Sequence, residues 1–150
     1  MMATKITLAQ FVKLRNGVPL GHADSLKNML SRSLGAGSFA QFWQYWNPVW
    51  GYYLSQFVYQ PIKRFFGKSI AVVTTFFVSG FLHDLAIMLV KLQSSILLTA
   101  WFTFMGLTVV LSEAVKLRYG ALPWFVRAQI NIGFIGAGFY FTKQLLSWVL

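Results

Sequence analysis

The chain has 150 residues, of which 57% are hydrophobic, only 11% are charged and none is cysteine. Soluble domains carry about 25% charged residues, so the composition points to a membrane, and the missing cysteines exclude disulfides, thiolate catalysis and Cys-ligated metals. A formal net charge of +10 would suit nucleic acid, but the Lys and Arg residues gather at the ends of apolar runs, where they set topology and touch anionic headgroups. The expected partner is therefore a lipid bilayer and not nucleic acid.

Residues 1–40 are the least apolar part and read as an N-terminal amphipathic, interfacial region; residues 41–150 read as a membrane-embedded domain. No cleavable signal peptide is expected, because the first residues lack a continuous apolar core and carry Lys5, Lys13 and Arg15. Ile6, Leu8, Phe11, Val12 and Leu14 suit a short amphipathic stretch, broken by Asn16-Gly17 and Pro19. A second short helix is expected from about Asp24 to Arg32, with Leu26, Met29 and Leu30 on one face, a cap at Asp24 or Ser25, and an end at Gly35 and Gly37. Such helices either lie in the membrane interface or pack as caps on a bundle.

The stretch from Gln41 to Gln60 is dense in aromatic residues, Trp43, Trp46 and Trp50 among them. Trp and Tyr favour the membrane interface over its centre. Pro48 and Gly51 should interrupt a helix at its start and Pro61 should stop it. A re-entrant segment is expected, lining a cavity, because irregular backbone at membrane depth needs protein or water to satisfy it.

Pro61–Lys68 reads as a basic loop carrying Lys63 and Arg64. Ser69–Val90 is the clearest span, about 33 Å of helix against a hydrocarbon core of about 30 Å. Ser94–Ser112 should follow it as the second arm of an antiparallel hairpin, and Trp124–Leu150 should form a further span. Gly133 and Ala137, four apart, predict close approach of another helix. The fold class is thus all-α, an integral multi-pass protein with about three to four transmembrane helices. The positive-inside rule places the N-terminal region, Lys63–Lys68 and Lys116–Arg127 in the cytoplasm; in a bacterium the membrane would be the inner or plasma membrane.

Chemistry concentrates on the clearest span. Thr75, Ser79 and His83 recur every four residues and stack on one helix face. Ionisable residues at membrane depth mark functional sites, and a neutral imidazole can act as a general base. Asp84 lies about 100° round the helix from His83, so it should pair elsewhere, with Arg, Lys or a backbone group. A metal site is not expected, because His22 is the only other histidine. Asn47 reads either as an amide donor to a carbonyl or oxyanion or as a turn residue before Pro48.

FWQYWN ending at Asn47 and followed by Pro48, YQP at Tyr59–Pro61, and VSGFLHD ending at Asp84 together resemble the membrane-bound O-acyltransferase (MBOAT) family. The resemblance implies His83 as the catalytic histidine and Asn47 as its partner, with Ser79 and Gly80 as the small pair before the histidine and Asp84 as the acid after it. It further implies acyl transfer from a thioester, acyl-CoA as co-substrate with no resident cofactor, to a hydroxyl acceptor. Trp43, Trp46, Trp50 and Ser79 would line the substrate path. Family members have about eight or more spans, so this chain resembles the C-terminal catalytic core, a short relative whose tunnel a second copy or another membrane subunit would complete. The alternative is a non-catalytic membrane subunit that retains the scaffold. A channel or transporter would call for more spans and an inverted repeat.

Overall fold

The computed structural model describes residues 5–150, and among them every regular element is helical. In chain order these are α1 (Leu8–Asn16), α2 (Ser25–Leu34), α3 (Phe39–Tyr45), α4 (Pro48–Leu54), a π-helical turn (Ser55–Tyr59), α5 (Gln60–Phe66), α6 (Lys68–Lys91), α7 (Leu97–Ala114) and α8 (Trp124–Val149). The chain divides into two compact units, Met1–Tyr53 with Arg118–Asn131, and Leu54–Leu117 with Ile132–Leu150.

In the first unit, local signals set the helix ends. Thr7 opens α1 with a capping box: its hydroxyl accepts from the Gln10 N–H, and the Gln10 side chain accepts from the Thr7 N–H. Gly17, at φ 77°, closes the helix in the left-handed conformation. Ser38 caps α3 by accepting from the Gln41 N–H. Asp24 stands before α2 without a side-chain capping bond. Val12, Phe39 and Phe42 form the core, with Phe42 stacked on Trp46 at 5.7 Å and edge-on to Trp43 at 5.1 Å.

A buried polar network closes this unit across a long stretch of sequence. Tyr119 donates its hydroxyl to Asn131 Oδ1 at 2.6 Å, and Asn131 Nδ2 donates to the carbonyls of Leu34 and Ala36. Trp124 Nε1 donates to the Ser31 carbonyl at 2.9 Å. Gly37 lies against Gly120, whose Cα would be 2.8 Å from a Cβ at Gly37.

In the second unit α6 and α7 pair as the expected antiparallel hairpin, and two glycines set their approach. A Cβ on Gly80 would fall 2.5 Å from the Leu98 carbonyl oxygen and 2.8 Å from Thr99 Cα. One on Gly106 would fall 2.9 Å from Phe76 Cβ. Each glycine therefore lets a neighbouring backbone or side chain sit where a methyl would stand. Ala71 and Met105 are fully buried.

Three expectations are corrected here. Pro61 does not stop a helix. The π turn before it brings the Gln60 N–H to the Ser55 carbonyl, and the backbone stays right-handed helical through Leu54, Tyr59 and Gln60. The wider turn makes room for a residue that has no N–H and a bulky ring. The basic loop shrinks to Gly67, at φ 85°, since Lys63 and Arg64 lie in the last turn of α5 and Lys68 opens α6. Finally, a Cβ on Gly133 would meet nothing within 4 Å among the described residues; Gly138 is the buried position, facing Met105.

Two helices, Lys68–Lys91 and Leu97–Ala114, are long and apolar enough to cross a membrane. The third expected span forms a continuous helix of 26 residues, but Gln129, Asn131, Lys143 and Gln144 dilute its apolar character.

Candidate active site

His83 sits in the fifth turn of α6 as the third member of the polar stripe. Its Nδ1 lies 2.6 Å from the Ser79 carbonyl one turn back. A carbonyl oxygen only accepts, so Nδ1 carries the hydrogen and, in the neutral ring, Nε2 keeps the lone pair. The ring stacks on Phe102 of α7 with centroids 5.1 Å apart and planes 22° from parallel. One helix thus sets the tautomer and the next sets the ring plane, while the imidazole remains exposed. Thr75, one turn below Ser79, returns its hydroxyl to the Ala71 carbonyl at 2.6 Å, and Ser79 is buried.

Asp84, the next residue, faces α7 and is 1% exposed. Its Oδ1 accepts from Ser95 Oγ at 2.7 Å and the Leu98 N–H at 3.2 Å; its Oδ2 accepts from the Thr99 N–H at 2.6 Å and Thr99 Oγ1 at 2.7 Å. The first N–H groups of a helix have no intrahelical partner and carry its positive end. A carboxylate from α6 serves them in place of a local cap, as no side chain caps α7 from its own start. Of the partners open from sequence, it is the backbone that Asp84 takes.

Gly80, His83 and Asp84 therefore divide the work within one motif. Gly80 admits the start of α7, Asp84 binds it there, and His83 is left on the hairpin's exposed side with its ring held by Phe102. Sequence alone does not single out Phe102, Ser95 and Thr99. Their one signal was the Ser95-to-Thr99 spacing at a helix start, which a cap supplied by a distant residue hides.

The other named residues belong to the first unit. Asn47 adopts a left-handed φ of 41° between α3 and α4, a conformation Asn tolerates better than most. Its Oδ1 accepts from the Trp50 N–H at 3.3 Å, and its own N–H points to Met29 Sδ at 3.3 Å. With Pro48 following, this is an N-cap with proline at the first helical position. The turn reading thus holds for Oδ1. The exposed Nδ2 makes no hydrogen bond among the described residues and stays available as a donor. Trp43 is half-buried and packs edge-on to Phe39 at 6.0 Å, whereas Trp46 is 38% exposed. Trp50 is half-buried in the first turn of α4.

The family model described as MBOAT, membrane-bound O-acyltransferase family, matches residues 8–143. No curated protein and no solved structure matches. The match takes in both segments considered above, with Asn47 in one and His83 in the other, and the chain belongs to the membrane-bound O-acyltransferase family.

Proposed function

We propose that the protein is a membrane-embedded O-acyltransferase in which His83 is the general base. The observation that supports this most is the 2.6 Å contact between Nδ1 and the Ser79 carbonyl, which leaves Nε2 as the basic nitrogen. In the proposed reaction Nε2 takes the proton of a substrate hydroxyl as its oxygen attacks the thioester carbonyl. The tetrahedral intermediate collapses, the C–S bond breaks, and the departing thiolate recovers the proton from the imidazolium. Asn47 Nδ2 donates to the acyl carbonyl and to the oxyanion that develops from it. Acyl-CoA is the proposed donor; Lys63 and Arg64 offer positive charge to its phosphates, and Trp43, Trp46, Trp50 and Ser79 line the substrate path.

The test uses the full chain in lipid nanodiscs, labelled acyl-CoA and a panel of hydroxyl-bearing lipids. Wild type transfers label. His83→Ala and His83→Gln lose about 10²- to 10⁴-fold in rate, the range for removing a general base, at unchanged thermal stability. Equal turnover in all three proteins ends the proposal.

A second reading, a non-catalytic membrane subunit, draws support from Gly80 and Asp84, whose contacts are those of a helix clamp. On that reading His83→Ala changes assembly or melting temperature, with no transfer activity in the wild type.

A further inference from the structure

The turn between α1 and α2 is held from several sides. Asn16 is buried, and its Nδ2 donates to the Ser25 carbonyl at 3.0 Å and to Ser25 Oγ at 2.9 Å. Asn28 Nδ2 donates to the Asn16 carbonyl at 3.2 Å, and the Arg32 guanidinium donates to the Arg15 carbonyl at 3.1 Å. Within the turn the N–H of His22 reaches the Pro19 carbonyl, and that of Ser25 the His22 carbonyl. Gly17 and Gly21 supply the left-handed backbone.

This well-tied element turns apolar groups outward. Leu14 is 66% exposed, Leu20 48%, Leu26 64% and Leu30 37%. Leu14 lies in the last turn of α1 and Leu26 in the first turn of α2, on either side of the Asn16–Ser25 bonds; Leu20 is in the turn, and Leu30 is one helical turn beyond Leu26. Lys13 and Lys27, next to Leu14 and Leu26 in sequence, are exposed, and neither has an ion-pair partner among the described residues. Asp24, the acid of this region, lies 3.9 Å from His22.

We propose that this turn is a headgroup anchor that seats the leucines in the boundary region of an anionic lipid leaflet, with Lys13 and Lys27 on its phosphates. Exposed leucines with exposed lysines beside them in sequence have the chemistry of interfacial binding. A second copy is the poorer occupant, because it would bring the same lysines against these. The inference concerns membrane seating alone and stands whether or not the chain transfers acyl groups.

The chain has no cysteine, so Leu20→Cys can carry a single polarity-sensitive fluorophore, with Ala9→Cys on the exposed first turn of α1 as the control. The full chain is reconstituted in nanodiscs of phosphatidylcholine, with and without phosphatidylglycerol. The label at Leu20→Cys should be quenched by shallow lipid-borne nitroxide and shielded from iodide, more strongly in the anionic discs, while Ala9→Cys should follow iodide in both. Lys13→Gln and Lys27→Gln should each weaken the anionic preference by about fivefold, the effect of one lysine near such a surface. Equal iodide quenching at the two positions would overturn the proposal, and so would shielding that ignores lipid charge but grows with the number of protein copies per disc.

Discussion

At Asp84 the motif's acid serves structure. Two oxygens take four donors, all from the stretch between Ser95 and Thr99. Asp84→Ala strips the N-terminus of α7 of its acceptor where water is scarce, and should destabilise the hairpin by about 2 kcal/mol or more. Asp84→Asn keeps one acceptor oxygen and should lose less. Thermal unfolding in lipid nanodiscs, compared with His83→Ala, separates the roles: the aspartate variants should melt early, and the histidine variant should not. At Asn47 the capping contact and the proposed donor role fall on different atoms. Asn47→Asp retains the oxygen that caps α4 and tolerates the left-handed backbone, but it replaces the Nδ2 donor with an acceptor. Transfer rate should therefore fall by about 10²-fold, as for loss of an oxyanion donor, with little change in melting temperature; a rate equal to wild type would remove Nδ2 from the mechanism. The sequence marked His83 because an ionisable group stood in an apolar run, and Asn47 because its segment resembles a family motif. It left Asp84's partner open because two of its four donors are backbone N–H groups of another helix, which have no side-chain signature, and the other two are the common hydroxyls of Ser95 and Thr99.

At the level of elements, α6 was legible to within a residue at each end, since an apolar run between Lys68 and Lys91 admits few readings. The hairpin partner was legible in kind, with its ends shifted to Leu97 and Ala114. Pro61 misled because proline's usual effect is to end a helix, and the π turn that accommodates it has no sequence mark of its own. The glycines show a related difficulty. Spacing reveals that Gly133 and Ala137 share a face but not whether anything of this chain meets it. Backbone contacts rank the glycines, and substitution tests the ranking. Gly80→Ala would drive a methyl into the Leu98 carbonyl and Thr99 Cα, both backbone and unable to swing aside, so about 1–3 kcal/mol of destabilisation is expected. Gly138→Ala meets the end of the flexible Met105 side chain and should cost less. Gly133→Ala meets nothing and gains helix propensity, so stability should hold or rise by up to about 1 kcal/mol. Melting temperatures of the three variants should fall in the order Gly133→Ala, Gly138→Ala, Gly80→Ala, the last being lowest.

For the molecule as a whole, the first unit is assembled from chain segments that α5, α6 and α7 separate in sequence. Helix periodicity could not reveal this, because the ties run through a turn and a polar network. Tyr119 is the titratable member of that network. It lies outside the two helices that are both long and apolar enough to span, is 6% exposed, and donates to Asn131 Oδ1. Burial pushes its phenol up from 10.0 to about 12, because phenolate is disfavoured away from water. A raised pKa means that the folded state favours the protonated ring. The stabilisation linked to that preference is complete below pH 10 and is lost as pH climbs from 10 toward 12. Tyr119→Phe gives up the hydrogen bond, at a cost of about 1 kcal/mol near neutral pH, but it has no proton to release. Wild type should therefore lose melting temperature faster than Tyr119→Phe across that alkaline window, with the gap between them narrowing as pH rises. Phenolate absorbance in the folded wild type should contain one late-titrating component that the variant lacks. Parallel melting curves for the two proteins would mean that the phenol is hydrated in the folded state and that the network it joins with Asn131, Leu34 and Ala36 does not close the unit.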